Sequence, residues 1–294
     1  MNKRYAYLAY LCVFSILLFI LSCKKGDGGS SGGGSGGSTG SLSTGGTGLA
    51  NVWVNGFTTS SARNDTTYTE FSLASDHSVS RVITINAVEG VDTYTILLTV
   101  YSGGKLTQLL SAADSTATSG TLNTAFDYSA SGQLQRIRYV PGTPAFTYDS
   151  LVLNSSNVLQ EVYHFIPVGV SGTMTNVQTE TYTWSSQHDI IGVVFNDYDT
   201  TTGTWAASTV QYQFDGSYNP YQTVKDLPLI LGGINTVNLL SANNATAITL
   251  VGQTIGVNYQ YTYNSQSLPT SSDEQVIEQS ELKNSVFTYF QYIE

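Results

Sequence analysis

The sequence predicts an all-β fold: a large curled antiparallel meander, forming an open barrel-like or sandwich-like sheet after a disordered Gly/Ser linker. The first reason is composition, since charged residues make up 11% of the chain and there are 20 tyrosines. Aromatic side chains, like the β-branched threonines that are abundant here, suit a pleated, half-buried surface. The second reason is spacing, because short strand-like runs alternate with turn residues at intervals of roughly 8–12 positions. The third reason is a repeat along the chain.

The repeat is an aromatic-x-aromatic pair followed by a polar turn, and it occurs five times. Side chains two positions apart on a strand share a face, so both rings of a pair lie on one layer of the sheet. The polar residues that follow favour chain reversal, and the repeat therefore predicts hairpins joined in sequence. The pairs and their turns are Phe126/Tyr128 with Ser131-Gly132, Phe146/Tyr148 with 154–157, Tyr182/Trp184 with 185–189, Tyr212/Phe214 with Asp215-Gly216, and Tyr261/Tyr263 with Asn264-Ser265.

The N-terminus carries an export signal of the bacterial lipoprotein kind. Lys3 and Arg4 precede an uncharged, mostly apolar run from Tyr5 to Leu21, and Ser22-Cys23 follows directly. A cationic start, an apolar segment and small residues at a cleavage point are typical of a signal peptide. Residues 1–22 are therefore predicted to be removed, and Cys23 is the predicted lipidation site. The alternative is that the run stays as a membrane-spanning helix, which needs about 20 apolar residues.

Residues 23–49 are predicted to form a lipidated cysteine followed by a disordered tether. Residues 24–49 consist almost entirely of Gly, Ser and Thr, which cannot bury enough apolar area to offset the entropy of ordering. A flexible coil of this length places the following domain about 25–30 Å from the lipid headgroups. Residues 50–294 are predicted to be a single β-rich domain. Leu227–Leu240 interrupts the strand pattern and is predicted to be a short helix or an apolar loop packed across one end of the sheet.

Charge and cysteine content exclude several classes of function. Without residues 1–22 the chain has 11 − 2 = 9 basic and 21 acidic residues, so its net charge is 9 − 21 = −12. Such a chain repels phosphate backbones, and nucleic acid is not a predicted partner. Because Cys12 lies in the signal, only Cys23 remains, which leaves no disulfide and no cysteine-based metal site.

The sequence resembles a family of lipoproteins. The segments that carry the resemblance are the lipobox cysteine, the aromatic hairpins, Asn219-Pro-Tyr, Ser241-Ala-Asn-Asn, 261–269 and 287–292. They are similar to those of the lipoproteins of unknown function common in Bacteroidota, whose hairpins are superficially similar to those of YD-repeat proteins. The resemblance covers most of residues 120–294, implies a large curled antiparallel sheet, and supplies no catalytic residues.

No catalytic, cofactor-binding or metal site is predicted. The G-x-G-x-x-G match at 32–37 and the G-x-S-x-G match at 36–40 lie in the tether, without the strand and helix that such motifs need. His77, His164 and His188 lack partners at metal-ligand spacing, so they are interpreted as surface or sheet histidines. Asp197 and Asp199 are interpreted as part of a hairpin loop rather than a calcium site.

The candidate ligand-binding residues are the three tryptophans, Trp53, Trp184 and Trp205. Exposed rings on a sheet can stack against sugars, although core packing and cross-strand pairing is the stronger interpretation. A glycosidase would need two carboxylates facing each other across a cleft. Glu161 and Glu180 lie in alternating strands and are predicted to face solvent.

Together these observations predict a lipid-anchored outer-membrane protein, on its periplasmic or surface face, with a non-enzymatic binding or structural role. The membrane is the predicted partner through the lipid, and a glycan or another envelope protein is the candidate second partner. An envelope glycoside hydrolase is the second interpretation, and an accessory subunit of an outer-membrane complex is the third.

Overall fold

The structure is a computed structural model that describes residues 48–58, 61–74, 78–88, 91–140, 147–169, 172–231 and 237–293. The predicted signal peptide, Cys23 and the tether up to residue 47 lie outside the described residues, as do His77 and Phe146. The first strand begins at Gly48, two residues before the predicted start of the domain.

The described residues form sixteen strands and three short helical segments. The strands are β1 Gly48–Thr58, β2 Ser61–Leu73, β3 Val79–Val88, β4 Val91–Ser102, β5 Lys105–Ser111, β6 Thr121–Tyr128, β7 Leu134–Tyr139, β8 Tyr148–Leu153, β9 Leu159–Val168, β10 Thr173–Trp184, β11 Ile190–Asp199, β12 Thr204–Tyr218, β13 Asn243–Leu250, β14 Ile255–Tyr263, β15 Pro269–Glu278 and β16 Glu281–Ile293. The helical segments are a 3₁₀ turn Pro220–Thr223, α1 Leu227–Leu231 and α2 Val237–Leu240.

The strands form one antiparallel meander, which confirms the predicted all-β fold class. Each strand pairs with its neighbours in the chain, and β1 pairs with both β2 and β16. The sheet therefore closes into a barrel. Closure pairs the strands that would otherwise be edges, and unpaired edges are sites of aggregation.

Four of the predicted turns share one design at one rim of the barrel. A Ser or Asn side chain at the first turn position accepts a hydrogen bond from the backbone N–H four residues later, at Gln133, Val158, Asp189 and Leu268. The fourth residue of each turn has positive φ: Gly132, Asn157, His188 and Ser267. This conformation suits glycine and asparagine and is uncommon for other residues. The first positions are Ser129, Asn154, Ser185 and Asn264.

The predicted turn at Asp215-Gly216 is wrong, because β12 continues to Tyr218. The carboxylate of Asp215 accepts hydrogen bonds from Ser217 N at 2.8 Å, from Asn244 N at 3.3 Å and from the Tyr263 hydroxyl. These contacts hold the residue within the sheet, next to the end of β14. A polar Asp-Gly pair here secures two strands instead of reversing the chain.

The segment between β12 and β13 forms a cap over the rim at which the four hairpin turns lie. We call this rim the capped rim. Leu227 and Ile230 of α1 and Val237 and Leu239 of α2 are buried. Three of these four join a core cluster to which the barrel wall contributes Phe71, Leu106, Ile137, Val162 and Val193. The prediction of a helix or apolar loop across one end of the sheet is consistent with this arrangement, which contains two short helices.

Polar residues named by the resemblance secure the cap. Asn219 donates to Asn238 O at 2.5 Å and Ser241 O at 2.8 Å, and its Oδ1 accepts from Tyr221 N at 3.0 Å. Asp189 accepts from Asn243 N at 2.8 Å and Asn243 Nδ2 at 2.9 Å. These bonds join both ends of the cap and the β10–β11 turn. Across the described ranges, no helix is long and apolar enough to cross a membrane.

Candidate functional site

The barrel interior contains a fully buried ion network centred on His164. Its Nδ1 lies 2.6 Å from Asp149 Oδ1 and its Nε2 lies 3.1 Å from Glu180 Oε1. Tyr139 donates to Asp149 Oδ2 at 2.5 Å, and the Tyr182 hydroxyl donates to Glu180. The five residues come from the adjacent strands β7 to β10, where His164 lies opposite Asp149 in register.

The network holds a positive charge on His164. Burial alone lowers the pKa of an imidazole, but the hydrogen bonds to Asp149 and Glu180 and the charges of these carboxylates outweigh burial and raise the pKa of His164 to about 10. Both ring nitrogens then donate, one to each carboxylate. Because each carboxylate is bound to His164 and to a tyrosine, the network joins four adjacent strands of the wall.

The prediction that Glu180 faces solvent is therefore wrong. It is buried on the same face of β10 as Tyr182. The sequence pattern could not show this, because the charge that compensates it lies on another strand, 16 residues away at His164.

A separate cavity of about 120 Å³ lies beneath the cap, between strands β2–β4 and β13–β16. Its lining combines apolar side chains, such as Phe71 and Phe290 of the wall and Ile230 and Leu239 of the cap, with polar cap residues that include Asn219 and Asn238. Hydroxyl groups are also numerous in the lining. The hydroxyl side chains are Thr67, Thr69, Thr84, Thr95, Ser272, Thr288, Tyr221, Tyr259 and Tyr261.

Glu274 of β15 is the acidic side chain among the described residues that line this cavity. It is buried, and burial raises its pKa to about 7, while a hydrogen bond from Tyr259 acts in the opposite direction. No Lys, Arg or His is among these lining residues. A carboxyl group in this position changes its charge near neutral pH.

Asn238 of α2 also lines the cavity and carries an unsatisfied acceptor. Its Nδ2 lies 3.4 Å from the Tyr259 hydroxyl, and its buried Oδ1 has no hydrogen-bond partner among the described residues. Asn238, Tyr259 and Glu274 therefore form a polar chain from the cap to the wall. Buried polar groups without partners are uncommon and carry a free-energy cost.

Sequence reasoning did not identify Glu274 or Asn238. Glu274 lies in the alternating run of β15, in which Ser272 and Val276 are also buried. Its two-residue spacing from buried neighbours is a usable signal, but only once the inner face of β15 is known. Asn238 had no signal, because the cap folds back over strands that are distant in the sequence.

The three predicted tryptophans are not brought together. Trp184 is packed against the core, and its Nε1 donates to Leu159 O at 2.6 Å. Trp205 is 49% exposed on β12, near the rim opposite the cap, and its ring lies 5.1 Å from that of Tyr198. Trp53 of β1 lies in register between Tyr68 and Tyr289.

Trp53 belongs to a row of positions that crosses five adjacent strands. Tyr94, Ile85, Tyr68, Trp53 and Tyr289 are successive cross-strand partners on β4, β3, β2, β1 and β16. Tyr94 is 61% exposed and Tyr289 is 46% exposed. We call these five positions the outer row. Since neighbouring strands are about 4.8 Å apart, the tyrosines of the outer row, which lie on every second strand, recur at intervals of about 10 Å.

Two other predictions concern candidate metal ligands. His188 is exposed and occupies the positive-φ position of its turn. Its role is therefore explained by the backbone conformation of the turn and requires no bound metal. Asp197 accepts from Gln178 Nε2 at 2.7 Å, and Asp199 accepts from Thr201 N at 2.8 Å within the β11–β12 turn. In the part of the chain that the structure describes, no group of three or more potential ligands could hold a metal ion.

Comparison with known proteins shows the fold. A porin-like protein from Bacteroides uniformis is similar with a TM-score of 0.51 at 10% identity, over 83% of this chain and 98% of that chain. A porin-like protein from Bacteroides vulgatus matches with a TM-score of 0.35 at 10% identity, over 84% of this chain and 99% of that one. A TcdB2–TccC3–Cdc42 structure matches with a TM-score of 0.31 at 12% identity, over 77% of this chain and 14% of that one. No family model matches the sequence, and neither does any curated protein.

The molecule is thus a closed antiparallel barrel with a packed interior and a capped rim. It shares its overall fold with the Bacteroides uniformis protein, and at 10% identity this likeness defines the architecture alone.

Proposed function

We propose that the protein is a lipid-anchored envelope protein whose barrel stands in the aqueous phase and binds a small ligand in its interior cavity. The observation that carries the proposal is the cavity beneath the cap, where the carboxyl of Glu274 and the unpaired Oδ1 of Asn238 meet an apolar surface. A pocket that combines apolar walls with a few buried polar groups is the usual form of a small-molecule site.

Binding is favoured over glycoside hydrolysis by the arrangement of carboxylates. Hydrolysis of a glycosidic bond needs two carboxylates about 5–9.5 Å apart across the sugar. The described lining of the cavity supplies one, Glu274. Asp149 and Glu180 are each bonded to His164, whose ring lies between them.

The outer wall supports an aqueous position. Arg138 and Asp127 form an ion pair at 2.8 Å on the outside of β6 and β7, and both side chains are exposed. Glu161 and Asp197 are paired with Tyr163 and Gln178 on the outside of neighbouring strands. An arginine facing lipid costs about 2–4 kcal/mol at the middle of a bilayer. A wall with these charges is suited to water, which is consistent with attachment through lipid on Cys23.

Lipid attachment is tested by metabolic labelling of the full chain with radioactive palmitate. Wild-type protein is expected to be labelled and Cys23→Ser to lose the label. Cys12→Ser is the matched control, since it removes the other cysteine of the chain and should leave labelling unchanged. Equal labelling of Cys23→Ser and wild type would overturn the anchor.

Occupation of the cavity is tested by a fragment screen of the purified mature protein with ligand-observed NMR. Binding fragments are expected to lose affinity in Thr84→Leu, which fills the cavity, and to keep it in Thr183→Leu, where the same change is made on an exposed position of β10. If fragments bind Thr84→Leu and wild type equally, the cavity is not the site.

Glycan capture on the outer row is the second candidate function, and the exposure of Tyr94 and Tyr289 favours it. Ring faces aligned across a sheet can stack against successive sugars of an extended glycan. In a glycan-array screen, the double variant Tyr94→Ala/Tyr289→Ala is expected to lose about tenfold or more in affinity. Trp205→Ala/Tyr218→Ala removes two exposed aromatic side chains elsewhere and should bind as wild type does.

A further inference from the structure

We propose that the cavity beneath the cap selects small organic ammonium ions, with the ammonium donating to Glu274 and to Asn238 Oδ1 while the carbon chain packs against the apolar side chains of the lining. This inference rests on the proposed function, because it names the class of ligand for the same cavity.

The polar groups of the cavity present acceptors that need donors. Glu274 receives a hydrogen bond from Tyr259, and a carboxylate has room for several donors. Asn238 Oδ1 is buried and has no partner in the described part of the chain, and Asn238 and Glu274 are both in contact with Tyr259. An ammonium group has three donors and no acceptor, which complements this arrangement. A carboxylate ligand would instead place like charges together.

The charge of the lining leads to the same ligand class. The titratable groups that face Glu274 from the surrounding strands and cap are tyrosines: Tyr221, Tyr259 and Tyr261. Burial raises the pKa of Tyr221 and of Tyr261, so both hydroxyls are neutral near pH 7. No cationic side chain is among the described lining residues, so an ionised Glu274 has no counterion among them. A bound cation supplies it, and a desolvated charge pair is strong in an apolar surrounding.

The dimensions of the cavity and the apolar part of its lining limit the rest of the ligand. A cavity of about 120 Å³ is somewhat smaller than an engineered cavity of about 150 Å³ that accepts benzene. It therefore suits a ligand of about five to seven heavy atoms. Phe71, Phe290, Ile230 and Leu239 provide apolar surface in the lining, which matches a short hydrocarbon chain or ring attached to the ammonium.

The experiment compares three probes of one shape: n-butylammonium, 1-butanol and butyrate. Isothermal titration calorimetry of the mature protein, purified in detergent, is expected to give at least tenfold tighter binding of n-butylammonium than of the other two at pH 8. Glu274→Gln should abolish the preference, whereas Glu278→Gln, an exposed change on the same strand, should retain it. Titration of each probe into the same detergent without protein gives the heat from the micelles, which is subtracted.

The pH profile of the wild type is a test that does not depend on a variant folding. Because the pKa of Glu274 is about 7, roughly a tenth of the carboxyl is ionised at pH 6 and nine-tenths at pH 8. Affinity for n-butylammonium is therefore expected to fall about tenfold from pH 8 to pH 6, while affinity for 1-butanol stays constant.

Each outcome has a distinct meaning. Equal affinities for n-butylammonium and 1-butanol, or a flat pH profile, would overturn the ammonium class and leave the cavity as a binding site. Tighter binding of butyrate would do the same. No measurable binding of any probe, together with a negative fragment screen, would overturn the proposed function as well.

Discussion

His164 and His188 show how burial gives two identical side chains different roles. His188 is exposed in a turn, where its backbone conformation matters more than its ring. His164 is buried between two carboxylates and provides the positive charge that they need. The sequence places both histidines next to polar or aromatic residues, so the distinction depends on contacts between strands.

We expect His164→Leu to lower the free energy of unfolding by about 3–5 kcal/mol, because it leaves two buried carboxylates without their cation. His188→Asn should have little effect, since asparagine tolerates positive φ. Urea unfolding of the mature protein, followed by tryptophan fluorescence, measures both. A change of less than about 1 kcal/mol in His164→Leu would contradict the charged network.

The same network makes stability depend on pH in the alkaline range. Since the pKa of His164 is raised from 6.5 to about 10, the folded state binds more protons than the unfolded state between these values. The stabilisation is fully present below pH 6.5 and is lost as pH rises towards 10.

Glu274 should produce a different pH dependence at lower pH. Its pKa is raised from 4.5 to about 7, so the folded state binds more protons across this interval and stability falls as pH rises through it. The ideal loss is about 3 kcal/mol, at 1.36 kcal/mol per pKa unit. Urea unfolding at pH 5, 6 and 7 should show this decrease in wild type and in Glu278→Gln, and a flatter profile in Glu274→Gln. An unchanged slope in Glu274→Gln would show that another group titrates.

At the scale of the element, the hairpin turn explains why so much of the fold could be predicted. Polar turns at 129–133, 154–158, 185–189 and 264–268 use local hydrogen bonds, and local bonds are visible in the sequence. Asp215-Gly216 has the same composition, but Asp215 bonds to residues 29 and 48 positions away. Composition alone cannot distinguish a turn residue from one that joins two strands.

The side chain at the first position of a turn should contribute about 1 kcal/mol to the free energy of unfolding. Asn154 Oδ1 accepts from Ser156 N at 2.9 Å and from Val158 N at 3.0 Å, and Asn154→Ala removes both acceptors. Asn154→Asp keeps an oxygen in the same place and should retain most of the stability, as should Ser155→Ala at an exposed position. Chemical unfolding of the three variants provides the measurement, and equal stability of Asn154→Ala and Asn154→Asp would contradict the role of these bonds.

At the scale of the whole molecule, closure and the cavity depend on contacts that local patterns do not encode. The alternation of β1 and β16 suggests strands, but their pairing joins the two ends of the described chain. The cap was visible as an apolar interruption, whereas its position over Glu274 follows from the barrel around it. The sequence therefore predicted the class of fold and the hairpins, but not the site.

The outer wall gives a prediction for the complete protein. In Triton X-114 phase partition, wild type is expected in the detergent phase because of the lipid proposed on Cys23, and Cys23→Ser is expected in the aqueous phase because the wall carries exposed charges. Cys12→Ser should partition as wild type does. Recovery of Cys23→Ser in the detergent phase would indicate that the barrel itself enters the hydrophobic layer.

Gly48 at the start of β1 is paired with Ile293 at the end of β16. The two ends of the described chain therefore lie side by side at the capped rim. A reporter fused after β16 would therefore emerge beside the start of β1, whereas one inserted at the β11–β12 turn would project from the opposite rim. A short bridge between the two ends would also make the ring continuous, and new termini could then be opened at a surface turn such as 155–156.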